Sequence, residues 1–249
     1  MSGVLPIGLG EARKLMRYLT GDEKEYICVA QLHDDVRREE IEEVVSKFKG
    51  RIYQRPPVRS SVKRRLRVRE VREVRVLEFQ GRLLLMRVVT EAGTYVRKLC
   101  HDIGVILGVG AHMRELRRVR SGVFREESAV TLQRISEAVF IWRKCGDGTE
   151  LNKILIPMEY GTCGIPKVIA SDYSIDALAH GAPLMAPGVL RYQDFQKGQV
   201  VAVLTQKGEL VALGKAQVSS EELGRVDKGI VVALERVFIT PGYYPKYWK

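Results

Sequence analysis

Nowhere in the 249 residues is there an apolar run of the about 18 residues needed to cross a bilayer. The first residues, Met1-Ser2-Gly3-Val4-Leu5-Pro6, also lack the positive charge of a secretory leader. A cytoplasmic protein with no membrane partner is expected. Cysteine is scarce. Cys28, Cys100, Cys145 and Cys163 stand far apart with no C-x-x-C pair, which argues against a zinc ribbon or a disulfide framework and leaves reduced, mostly buried thiols as the expectation. The four histidines, His33, His101, His112 and His180, are as scattered, so no metal-ligand spacing is present.

Acidic residues are in the minority, 30 against 41 lysines and arginines, which gives a formal net charge of +11. An excess of that size points to a polyanionic partner. The excess is concentrated. Ten basic residues lie between Arg51 and Arg75, against Glu70 and Glu73 alone, whereas the part from Pro166 onward is nearly balanced. What remains is ordinary for a folded protein: 45% hydrophobic residues, and enough length for one large domain or two smaller ones.

Periodicity assigns the elements. Residues 10–19 read as a short helix, 25–33 as a strand and 37–48 as an amphipathic helix on Ile41, Val44, Val45 and Phe48. Pro56-Pro57 makes 54–67 a basic exposed loop. Strands at 71–79 and 83–89 form a hairpin turning at Gln80-Gly81. A turn at Glu91-Ala92-Gly93-Thr94 then leads into a helix with an apolar stripe of Tyr95, Leu99, Ile103 and Ile106. Arg97 falls on the first turn of that helix, facing away from the stripe, where a guanidinium can hold a carboxylate or a phosphate. A strand with arginines near its end follows at 108–122. Thr131 caps a helix whose apolar face is Leu132, Ile135, Val139 and Trp142. Past a boundary near Gly164-Ile165-Pro166, a strand (167–170), a helix (174–180) and three strands (200–205, 210–216, 229–237) make the pattern of a small β-barrel-like module.

Five motifs occur in order: Gly3-Val4-Leu5-Pro6; Arg55-Pro56-Pro57 with its following basic residues; Ala92-Gly93-Thr94-Tyr95-Val96-Arg97; Gly110-Ala111-His112-Met113 with Leu116-Arg117-Arg118; and His180-Gly181-Ala182 with Ala186-Pro187-Gly188-Val189. Together they resemble the TruB family of pseudouridine synthases, more narrowly the archaeal dyskerin-type enzymes of box H/ACA particles, over nearly the whole chain. The resemblance implies an α+β fold in which a mixed, largely antiparallel sheet with flanking helices (residues 1–165) precedes a PUA RNA-binding module (166–249). It implies RNA-guided conversion of uridine to pseudouridine, with no metal or organic cofactor. The implied partners are a guide RNA, a substrate RNA and three small ribonucleoprotein subunits: zinc-ribbon-like, β-barrel and kink-turn-binding. A stand-alone synthase for uridine 55 of tRNA and a catalytically dead RNA-binding scaffold are the competing functions.

For the site, the resemblance places Tyr26 against the target base, Arg97 beside the nucleophilic aspartate and Leu116 in the uracil pocket. Tyr26 and Leu116 otherwise read as core residues, and Arg97 as a solvated helix arginine. RNA contacts would come from Arg55, Arg59, Lys63, Arg64, Arg65 and Arg67 of the basic loop, and from His180, Gly181, Pro187 and Gly188 of the module. The family's aspartate lies in Gly-Gly-Thr-Leu-Asp-Pro-Lys-Val-(Ser/Thr)-Gly-Val-Leu-Pro, and here Met1 directly precedes Ser2-Gly3-Val4-Leu5-Pro6. An N-terminally truncated, inactive chain is therefore expected, with a late-starting gene model favoured over a true fragment.

Overall fold

The computed structural model describes residues 1–21, 23–56, 62–225 and 227–245. The chain forms two compact units, Met1–Pro6 with Arg17–Val130, and Ile7–Met16 with the chain from Thr131 on. In the first unit, β1 (Ser2–Gly3), α1 (Met16–Leu19), β2 (Lys24–Leu32), α2 (Arg38–Ser46), β3 (Gly50–Gln54), β4 (Arg67–Gln80), β5 (Leu83–Thr90), α3 (Val96–Ile106), β6 (Ala111–Ser121) and β7 (Phe124–Arg125) follow one another. Their strands pair in the order β1-β6-β2-β5-β4-β3, with β7 on β6. Only β1 on β6 is parallel.

Alternation decides which face of this sheet is covered. Cys28, Ala30 and Leu32 of β2 and Leu84, Met86 and Val88 of β5 point one way, and all are buried. Onto that face pack Ile41, Val44 and Val45 of α2 and Val96, Leu99, Cys100 and Ile103 of α3. The hairpin turns at Gly81, where φ is +57°, a left-handed conformation that glycine adopts without steric cost. The buried stripe of α3 is displaced by one residue from the expected one: Val96 and Cys100 join Leu99 and Ile103, while Ile106 is exposed. Tyr95 is the N-cap, outside the first turn, so the stripe starts one residue later and rotates away from Ile106.

Helix α3 lies very close to the start of β6. A Cβ on Gly104 would stand 2.1 Å from the Ala111 nitrogen and 2.4 Å from the Gly110 carbonyl carbon, and backbone cannot give way as a side chain can. Gly104→Ala is therefore expected to lower the unfolding free energy by about 2 kcal/mol or more, overpacking outweighing the roughly 1 kcal/mol that alanine gains in helix propensity. The midpoint of urea unfolding measures it, and an unchanged or raised midpoint would refute the contact.

The second unit holds α4 (Leu132–Cys145), α5 (Thr149–Ile154), β8 (Lys167–Ala170), α6 (Asp172–Ala179), β9 (Leu184–Met185), β10 (Val189–Tyr192), β11 (Val200–Leu204), β12 (Leu210–Ala216), α7 (Ser220–Leu223) and β13 (Ile230–Val237). Six strands in the order β10-β8-β11-β12-β13-β9 enclose a core of Val168, Ile175, Leu178, Phe195, Val203 and Val231, among others. The fold is thus α+β with a barrel-like second sheet.

Two expectations need correction. Thr131 does cap α4, its hydroxyl accepting from the Arg134 nitrogen at 3.3 Å, but the face expected to be packed is only partly covered: Ile135 and Val139 are half-buried, whereas Leu132 is 78% and Trp142 49% exposed, and Ala138 is the buried residue of this helix. The cysteines are not mostly buried either. Cys28 and Cys100 are buried, whereas Cys145 and Cys163 are exposed, because both fall at ends of helical segments rather than on packed faces. Among the described residues no helix is long and apolar enough to cross a membrane.

Candidate active-site face and basic arm

Strand register brings the candidate residues into two adjacent rows. One runs Gly3, Arg118, Tyr26, Val88, Val74 across β1, β6, β2, β5 and β4; the next runs Leu116, Cys28, Met86, Val76. Tyr26 and Leu116 are therefore diagonal neighbours on one face of the sheet, both half-buried against the core. A phenol beside an aliphatic wall suits a flat pyrimidine, which can stack on the ring and rest on the leucine.

Arg118, opposite Tyr26, holds the start of the chain. Its Nε donates to the Val4 carbonyl at 2.8 Å, and its own carbonyl accepts from the Val4 nitrogen at 2.8 Å. Gly3 permits this approach, since its φ is +104° and a Cβ there would sit 2.2 Å from the Arg118 oxygen. Residues 3 and 4 are thereby pinned two strands from Tyr26. The pattern of the sequence did not single out Arg118 for this; only the register of β1 on β6 reveals it.

Arg97 stands on the first turn of α3, exposed, on the side away from the buried stripe, as expected. Among the described residues no hydrogen bond or ion pair engages it. Its guanidinium is available to an anion and bears no cost of an unpaired buried charge. On the opposite face of the sheet, the carboxylate next to Tyr26 in the chain is engaged. Glu25 accepts from Arg87 Nε at 2.6 Å and from Arg120 Nε at 3.1 Å; Arg87 Nη1 also donates to Glu73 at 2.6 Å, and Arg120 pairs with Glu23. The buried thiols are no better as nucleophiles, because the contact with Cys100 and burial both push the Cys28 thiol far above its ordinary value.

The Glu25 network makes a pH prediction. Burial pushes the Glu25 carboxyl up, but its hydrogen bonds from Arg87 and Arg120 outweigh that and hold it below the usual carboxylate value of 4.5. A carboxyl lowered in the folded state stabilises the fold above its unfolded pKa, and that stability is lost as the pH falls through the folded pKa. Glu25→Gln is expected to cost about 2 kcal/mol near neutrality, with the gap to the parent protein closing as the pH drops below about 4. Urea unfolding at a series of pH values measures it; a gap that persists undiminished at pH 2 would contradict the assignment.

The basic loop lies between β3 and β4. Arg55, Lys63, Arg64 and Arg65 are exposed and Arg67 is half-buried; Arg59 lies outside the described residues. Arg64 donates to the Pro56 carbonyl at 3.3 Å and Arg67 to the Lys63 carbonyl at 3.5 Å. Farther along, Arg69, Arg72 and Arg75 pair with Glu91, Glu23 and Glu73. Among the described residues none of Arg55, Lys63, Arg64, Arg65 and Arg67 is in an ion pair. Within the stretch from Arg51 to Arg75, the described charges without an ion pair are therefore Arg51 and those of the loop, not Arg69, Arg72 and Arg75. In the second unit, exposed His180 and Gly181 end α6, and Gly188 is packed against its first turn, with a Cβ there 2.5 Å from the Ser174 hydroxyl oxygen. Exposed Pro187 precedes it. The two halves of that motif stand at opposite ends of one short helix.

Three family models match the chain: the tRNA pseudouridylate synthase B C-terminal domain over residues 97–162, the PUA domain over 166–238, and the Pus10 C-terminal region over 10–105. A probable tRNA pseudouridine synthase B of Sulfurisphaera tokodaii is 53% identical over 249 residues, which span the whole of this chain and 74% of that protein. The chain belongs to the TruB/Cbf5 family of pseudouridine synthases. A second TruB/Cbf5 relative, from Saccharolobus solfataricus and again a probable tRNA pseudouridine synthase B, is 55% identical over 247 residues, 99% of this chain and 98% of its own length. Among solved structures, a Cbf5-Nop10-Gar1 complex matches with a TM-score of 0.91 and 46% identity, over 98% of this chain and 75% of that one. An H/ACA ribonucleoprotein bound to a substrate RNA containing 2'-deoxyuridine matches with a TM-score of 0.89 and 42% identity, over 96% and 73%. As an archaeal TruB/Cbf5 chain with a PUA domain, it is of a pseudouridine synthase type.

Proposed function

We propose that this chain is the catalytic subunit body of an RNA-guided pseudouridine synthase, holding the target uridine against Tyr26 and Leu116 while a guide RNA selects the site. The observation that carries the reading is the near-complete match, at a TM-score of 0.91, to a protein solved with Nop10 and Gar1, together with a basic loop whose charges are left unpaired. Residues 1–165 serve as the catalytic domain and 166–249 as the PUA domain. Arg55, Arg59, Lys63, Arg64, Arg65 and Arg67 grip the phosphate backbone of RNA, while His180, Gly181, Pro187 and Gly188 hold the ACA end of the guide. Small subunits like those of the matched complexes, zinc-ribbon-like, β-barrel and kink-turn-binding, complete the particle.

In the reaction, the bond from ribose to the pyrimidine nitrogen is exchanged for one to carbon 5; the hydrogen on carbon 5 leaves as a proton and the released nitrogen takes up a proton, so that the product is an isomer of the substrate. Tyr26 stacks on the freed base and Leu116 keeps it from water. Arg97 orients the aspartate of the family motif. Gly3-Val4, anchored on Arg118, is the tail of that motif, so a segment ahead of it would run on along β6 from Arg117 toward Leu116, two strands from Tyr26. No residue of the given sequence fills the aspartate's position.

The two relatives, both probable tRNA pseudouridine synthases B, support a second reading, a stand-alone tRNA enzyme. Competition binding separates the two. The protein should bind a hairpin guide RNA ending in ACA at least about tenfold more tightly than a tRNA transcript at equal salt. A preference for the tRNA would favour the stand-alone enzyme.

A further inference from the structure

The turn that introduces α3 is fastened to the root of the basic arm at three places. The Glu91 nitrogen donates to the Glu70 carbonyl at 3.0 Å. Arg69 donates from Nε to the Gly93 carbonyl at 3.2 Å and from Nη1 to the Glu91 carboxylate at 3.3 Å. The third fastening is the most selective. The Gln54 carboxamide donates from Nε2 to the Tyr95 carbonyl at 3.1 Å and accepts from the Tyr95 nitrogen through Oε1 at 2.9 Å. Gln54 is 1% exposed, and a buried carboxamide is retained without penalty only when both its donor and its acceptor are met. Here a single residue meets one of each.

Position gives that contact its meaning. Gln54 is the last residue of β3 and pairs with Arg67, the first of β4; the basic loop opens immediately beyond this rung. Tyr95 is the N-cap of α3, its carbonyl also accepting from the Lys98 and Leu99 nitrogens. Arg97 follows two residues later. The first turn of a helix is where backbone donors are least constrained by the helix itself, so an outside clamp on the N-cap residue governs the direction in which side chains of that turn leave. Gly93, with φ +80° and its missing Cβ 3.2 Å from Arg69 Nη2, lets the turn come close enough for the clamp to form.

We propose that Gln54 is a positioning residue for Arg97: through Tyr95 it holds the first turn of α3 in fixed relation to the root of the basic arm, so that the guanidinium leaves the helix in one direction and meets the aspartate of the family motif in one geometry. This rests on the reading that Arg97 orients that aspartate.

The test is a double-mutant cycle on turnover at saturating guide and target RNA, with the full chain extended by the aspartate-bearing segment, combining Gln54→Met, which keeps the volume and removes both hydrogen bonds, with Arg97→Ala. Each single substitution is expected to lower turnover by at least about tenfold with RNA affinity little changed, and the double variant to be little slower than R97A alone, because Q54M acts through the arginine. Multiplying losses for Q54M with R97A, or a folded Q54M that turns over as the parent does, would overturn the proposal while leaving the reading of Arg97 intact; an R97A chain that turns over as the parent does would overturn both. A second measurement needs no variant. In the parent protein the Tyr95 amide, which donates to Gln54, should be protected from hydrogen exchange to the level of the sheet amides, and fast exchange there would overturn the proposal even if Q54M does not fold.

Discussion

Supplied with guide and with target RNA tritiated at uridine carbon 5, the 249-residue polypeptide by itself should release tritium no faster than a protein-free control. Adding in trans, or by extension of the chain, a segment bearing Thr-Leu-Asp-Pro-Lys-Val should raise the rate by at least about four orders of magnitude. The expectation follows from what the face around Tyr26 contains. It has a phenol, an aliphatic wall and, on the neighbouring helix, an arginine with no ion pair among the described residues; Glu25, next to Tyr26 in the chain but on the opposite face, is engaged with Arg87 and Arg120, and Glu23 with Arg120 and Arg72. A carboxylate in two charge-assisted hydrogen bonds is a poor nucleophile, and Cys28 is held protonated. Binding and stacking can orient a uridine without supplying the group that attacks it. Release of tritium by the unsupplemented polypeptide would mean that one of its own residues performs the attack.

The second large effect concerns salt. Replacing Lys63, Arg64, Arg65 and Arg67 together by alanine should lower RNA affinity by about 100-fold or more at moderate salt. It should also flatten the dependence of log affinity on log salt by about 3, since each phosphate contact to a single strand releases roughly 0.7 of a counterion. These four are chosen because the fold leaves them without carboxylate partners. Arg69, Arg72 and Arg75 carry the same formal charge but are paired with Glu91, Glu23 and Glu73, and substituting those three should leave the slope nearly unchanged while destabilising the sheet. Equal changes of slope from both sets would show that the ion pairs do not divide the arm as described.

Much of this was legible in the sequence, for definite reasons. In the first unit β2, α2, β4, β5, α3 and β6 follow from signals such as the alternation in β2 and the spacing of Ile41, Val44 and Val45 in α2, which survive without tertiary context, whereas β1, β3 and β7 do not show in the pattern. The outward direction of Arg97 was likewise readable, because a helix stripe fixes the opposite face as well. What could not be read was anything that depends on register or on burial by distant residues. Strands β9 and β10 have two and four residues, too few to show a period. The ends of the apolar face of α4, Leu132 and Trp142, stay exposed while Ile135 and Val139 are half-buried, so periodicity alone overstated its packing. Gln54 reads in sequence as the start of the exposed loop, yet it is buried at the end of β3, and Arg118 reads only as part of a motif; their contacts exist because β3 meets the turn before α3 and β1 meets β6. The separation of free from paired arginines also needed coordinates, since composition counts Arg67 and Arg69 alike.

The measurement that bears most directly on the central claim is tritium release by the chain extended with the aspartate-bearing segment, assayed on one target RNA with and without a complementary guide. Turnover that requires the guide, and that moves to a new uridine when the guide sequence is changed, is the predicted result. Equal turnover without any guide would contradict the account and assign the chain to a synthase that recognises its substrate unaided.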